Sequence, residues 1–130
     1  MKVLLPFHLN KVGAGFPSPA TDYVEDDIDI NACLIKNIPS TFLIRVQGKS
    51  MSSIEIHDGD LLVVDRSLNP KNFSTVIANV NEELIVKNFV KEKNQSFLTS
   101  GSKKLKDKIN LTENPEICIW GVVTYVIHAL

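Results

Sequence analysis

A chain of 130 residues is long enough for one modest core and an additional arm. Hydrophobic residues make up 44% of it and the formal charge is −1, so it reads as globular, without the strong positive field that draws a protein directly to nucleic acid. Its two cysteines, Cys33 and Cys118, form no Cys-x-x-Cys unit, and no run approaches the ~18 apolar residues of a membrane span.

The first residues, MKVLLPFHLNKVGAG, imitate an export signal. Pro6, His8, Asn10 and Lys11 interrupt the apolar stretch, so the segment reads as the arm of a cytoplasmic protein. Across residues 1–27, Pro6, Pro17 and Pro19 fix φ and remove amide donors, and Gly13-Ala14-Gly15 adds freedom. A flexible arm of extended chain or loop is predicted there, with one domain over 28–130. Asp29 or Asn31 is placed to cap a short helix through Ala32, Leu34 and Ile35, which Pro39 stops.

From residue 41 the pattern changes to strands. Thr41 to Val46 is rich in β-branched and aromatic residues, and Ile54 and Ile56 are spaced for one strand face. His57-Asp58-Gly59-Asp60 predicts a turn with positive φ at the glycine. Leu61 to Val64 and Thr75 to Val80 are two further strands, and Asn81-Glu82-Glu83 connects tightly into Leu84 to Val90. Residues 91–108 are polar and lysine-rich, and the lysines of 103–108 read as a solvated loop, with a local phosphate contact as the less favoured alternative. The chain closes on a strand pattern from Ile117 to Ile127, broken by Gly121, with Cys118 expected as a buried thiol. Short strands with little helix predict a small, mostly-β domain.

Two residues carry candidate chemistry. On a strand over 84–90, alternation puts Ile85, Lys87 and Phe89 on one face. An amine between two apolar neighbours is desolvated, which disfavours its charge and makes it a competent base. The ordinary alternative is a lysine whose stem lies on apolar surface with its ammonium in water. Ser50 ends the turn Gly48-Lys49-Ser50, and the amides of Ser50 and Met51 are available as an oxyanion hole. A turn serine bonded to local backbone is the alternative, and Ser52 and Ser53 compete for the role. His8, His57 and His128 show neither a triad order nor metal-ligand spacing and read as surface or turn residues; no glycine-rich phosphate loop is present. No metal and no cofactor is expected.

Three stretches, in this order, resemble a known family: Gly15-Phe16-Pro17-Ser18-Pro19-Ala20 with Asp22 to Glu25; Gly48-Lys49-Ser50-Met51 followed by Ile56 to Asp65; and Leu84-Ile85-Val86-Lys87. Gly121-Val122-Val123 also fits its closing strand. The chain resembles the UmuD family, in the peptidase S24 group that also holds LexA repressors and phage repressor C-terminal domains. The resemblance implies a compact, strongly bent β-domain, with Ser50 as nucleophile, Lys87 as general base and Ala14-Gly15 as the bond the chain cuts in itself. It implies a homodimer, stimulation by a RecA filament on single-stranded DNA, and a UmuC-type Y-family polymerase as partner in error-prone lesion bypass. Two departures stand out. The arm before Gly15 is too short for a winged-helix DNA-binding domain, which favours a UmuD-like accessory protein over a repressor. The segment 101–108 also replaces an Asn-x-x-Tyr-x-Pro element, a change expected to alter a dimer or polymerase contact.

Overall fold

The structure is a computed structural model that describes residues 3–8, 24–48, 55–100 and 108–130. The chain divides into two compact units, Met1–Lys36 and Asn37–Leu130.

In the first unit, β1 (Leu4–His8) pairs antiparallel with β2 (Val24–Asp29). Residues 4–8 and 24–29 are thus a paired ladder, where the prolines and the acidic cluster suggested only extended chain or loop. Pro6 lacks an amide donor, and the register breaks between Leu5 and Phe7, around that residue. Helix α1 (Ile30–Leu34) follows, capped by the Asp29 carboxylate, which accepts the Asn31 amide at 3.1 Å. Ile35 serves as its C-cap rather than its last turn.

The second unit is one seven-stranded antiparallel sheet. Its strands are β3 (Thr41–Arg45), β4 (Leu61–Asp65), β5 (Thr75–Val80), β6 (Glu83–Glu92), β7 (Gln95–Thr99), β8 (Ile109–Asn110) and β9 (Cys118–Ile127), in the order β3-β4-β9-β5-β6-β7-β8. Pro39 lies in a single 3-10 turn, Ile38–Ser40, just before β3. The mostly-β expectation is borne out. Strand β7, however, lies within the polar stretch 91–108, where no strand was predicted, and β8 begins just beyond it. Their apolar content, Phe97, Leu98 and Ile109, is too sparse to stand out among lysines.

Apolar side chains pack on both sides of the sheet. Leu62, Val64 and Ile77 build one cluster with Val46 and Ile56. Val76, Ala78, Phe89, Leu98 and Val122 build the other. Alternation explains the division: neighbours in sequence, such as Val76 and Ile77, point to opposite faces. Each fully buried aliphatic side chain contributes about 1.5–3 kcal/mol. The same parity corrects the expectation for Cys118. Ile117 and Ile119 pack on the second cluster, and Cys118, between them at the start of β9, is exposed.

Two further expectations change. Ile56 is buried at 2% exposure but lies outside any strand, because Glu55 turns the chain with φ 62°; Ile54 lies outside the described residues. Gly121 does not break the final strand. It lets β9 run close to β4: a Cβ there would stand 2.6 Å from Val64 Cγ1. The tight β5–β6 connection is confirmed as a two-residue turn, Asn81 and Glu82, both with positive φ.

Candidate active site

Lys87 sits in the middle of β6, opposite Val76 of β5. Its face is shared with Ile85 and Phe89, as strand alternation requires, and both belong to or pack on the second cluster. The residue is half-buried. On its other side β7 pairs Asn88 with Thr99, so one further step of the same register brings Ser100 opposite Lys87. The Lys87 Nζ and Ser100 Oγ atoms are 2.9 Å apart and hydrogen-bonded. This contact was not legible in the sequence because residues 91–108 carried no recognised strand. A hairpin reading of Lys93-Asn94, with β6 and β7 as its arms, is the signal that leads to it.

A groove of about 400 Å³ lies beside this lysine. Its walls are residues 44–47, at and beyond the end of β3, and residues 84–87 of β6, with Ile77 between. Residues 44–47 lead toward Ser50, only three positions past Gln47, a stretch that spans at most about 10 Å. Ser50 and Met51, like Ser52 and Ser53, lie outside the described residues, and so do Ala14 and Gly15. Of the predicted site residues, Lys87 is the one with described geometry.

The limbs on either side of residues 49–54 are bonded to each other. The Val46 amide donates to the Asp60 carbonyl and the Gly59 amide to the Val46 carbonyl, both at 2.8 Å. The Gly48 amide donates to Asp58 Oδ1 at 2.9 Å, and Arg45 Nη1 donates to the Gly59 carbonyl at 2.8 Å. Gly59 has φ 88°, as the turn chemistry predicted.

Two buried carboxylates bracket β4. Asp65, 4% exposed, accepts from Asn37 Nδ2, Ser40 Oγ, Ser67 Oγ and the Ser67 amide, at 2.6–2.9 Å. These donors, Ser67 and Asn37 foremost, hold its carboxyl well below the usual carboxylate range. Asp60, 2% exposed, accepts the His57 amide at 2.9 Å and contacts His128 Nδ1 at 2.5 Å. The His128 imidazole, and then the His57 amide, lower its pKa. His128 is therefore tied to a carboxylate rather than an isolated surface residue. No local pattern announces this, because the partners are 68 residues apart.

Among the described residues, no group of His, Cys, Asp and Glu is arranged to hold a metal, and no helix is long and apolar enough to cross a membrane.

The family model described as "Peptidase S24-like" matches residues 6–124. The chain is similar to Protein ImpA of Salmonella typhimurium, at 41% identity over 95% of this chain and 83% of that protein. It is similar to Protein MucA of Salmonella typhimurium at 36% identity, over 93% of this chain and 82% of that protein. It also matches a LexA repressor of Psychromonas ingrahamii at 42% identity, over 69% of this chain and 43% of that protein.

Proposed function

We propose that this chain, which belongs to the Peptidase S24-like family, is a self-cleaving serine–lysine peptidase. In this reading Ser50 is the nucleophile and Lys87 the base, and the Ala14-Gly15 bond is the substrate. The observation that carries it is the groove, which has Lys87 on one wall and the chain leading to Ser50 on the other.

The chemistry then runs in four steps. The arm enters the groove extended, with the Ala14 carbonyl carbon at the Ser50 hydroxyl. Neutral Lys87 takes the hydroxyl proton as oxygen attacks. The oxyanion is held by the amides of Ser50 and Met51, and the lysine returns the proton to the Gly15 amine as it leaves. Water then hydrolyses the ester. Small residues at 14 and 15 suit a narrow groove, and tethering removes the need for intrinsic affinity. Ser100 orients the amine through its hydrogen bond.

The likeness to ImpA, MucA and LexA supports a place in the SOS response. There a homodimer of this chain, in the cytoplasm, responds to a RecA filament on single-stranded DNA. After losing its arm it acts with a UmuC-type polymerase in translesion synthesis.

Mass spectrometry of the intact chain tests this. Incubation at rising alkaline pH, which increases the neutral fraction of an amine base, produces a chain shorter by its first 14 residues. Ser50→Ala and Lys87→Ala each abolish the product. Ser100 is the competing nucleophile, because Lys87 already touches it. Cutting by Ser100→Ala together with silence of Ser50→Ala assigns the role to Ser50; the reverse pattern overturns it.

A further inference from the structure

The bonded limbs flanking residues 49–54 end at Asp60, and Asp60 is gripped by the opposite end of the chain. His128 is the first residue beyond β9, and its ring lies 5.4 Å from that of His57. The carboxylate is nearly out of water, so its charge depends on these partners. One oxygen accepts the His57 amide within the turn; the other meets the imidazole. The turn carrying the return limb is thereby fastened to the C-terminal residues.

We propose that the Asp60–His128 contact is a positioning pair for self-cleavage, a latch that fixes the two bonded limbs flanking residues 49–54 in the chain. The proposal rests on Ser50 being the nucleophile. With the imidazole removed, the carboxylate keeps a single backbone donor and must turn toward water, and the 57–60 turn loosens with it. The stem bonds from Val46, Gly48 and Arg45 end on that same turn.

His57, Arg45 and Asp58 are charged or titratable groups of the same stem. Arg45 and Asp58 are engaged with the backbone of Gly59 and Gly48.

The experiment follows self-cleavage of the full chain from about pH 5 to pH 10 in wild type, His128→Gln, His128→Lys and His57→Gln, with Ser50→Ala as the blank. Removing one charge-assisted hydrogen bond slows His128→Gln about tenfold. His128→Lys, which restores a donor to the carboxylate, recovers the rate, and His57→Gln, which keeps the backbone amide, keeps the wild-type rate. A His128→Gln variant with the wild-type rate overturns the proposal. Cleavage by Ser50→Ala instead sinks the nucleophile assignment. Amide hydrogen exchange reads the latch even in a chain that does not cut. The His57 amide exchanges about tenfold faster in His128→Gln, and unchanged exchange overturns the latch.

Discussion

The two ends of β4 make the same demand and meet it differently. Asp65 at one end and Asp60 just before the other are both buried carboxylates held below their ordinary range. Asp65 is surrounded by hydroxyls and amides, which carry their donors at every accessible pH. Asp60 leans on one imidazole, 68 residues away in the chain, and one backbone amide. One end is a permanent anchor, fastening the 3-10 turn to the sheet. The other, at the foot of the limbs that flank residues 49–54, depends on a single side chain.

The largest way to break this comparison is to remove what both ends share. Leu62 is fully buried in the middle of β4, and Leu62→Ala is expected to cost about 2–5 kcal/mol, read as a fall in melting temperature at any pH. Such a loss loosens both anchors together, so it does not separate them.

A smaller and sharper test is Asp65→Asn. A carboxyl whose folded pKa lies below its unfolded value binds fewer protons folded than unfolded. Its stabilisation is complete above about pH 4–5 and disappears as pH falls further. Thermal melts of Asp65→Asn therefore lie furthest below wild type near neutrality and converge with it in acid. The offset is flat between about pH 5 and 8, because none of the Asp65 partners titrates there. The corresponding offset of Asp60→Asn is smaller, because Asp60 has one side-chain partner where Asp65 has three. Equal offsets for the two variants remove the distinction.

The smallest effect belongs to a site remote from both. Lys108 pairs with Glu92 at 3.1 Å and lies 5.0 Å from the Phe97 ring. Lys108→Ala is expected to cost about 0–1 kcal/mol, and less in high salt. A larger, salt-insensitive loss in melts would assign this exposed pair a role in fastening β8.

Much of the sheet was legible because its strands follow simple rules. The continuous apolar run Leu61 to Val64 became a strand buried on both faces, and parity put Lys87 with Ile85 and Phe89. The resemblance to the UmuD and peptidase S24 group is borne out by the family match over residues 6–124. What escaped was non-local or compensated. Strands β7 and β8 are short and were hidden by the lysines that flank them. Gly121 looked like an interruption because its close approach to Val64 is visible only across two strands. The Asp60–His128 contact joins residues with no common pattern, and Ser100 meets Lys87 only once the hairpin register is known.

That register has a consequence of its own. Ser100 reaches Lys87 through a two-residue turn at Lys93 and Asn94, and Lys93 holds φ 54° there. A slip of one residue in this hairpin would send every β7 side chain to the opposite face. Leu98 would leave the core, and the hydroxyl would leave the amine. Misfolding here would thus be reported twice, as lost stability and as lost cutting. A turn at the far end of the hairpin acts as a proofreader of the pairing between Ser100 and Lys87.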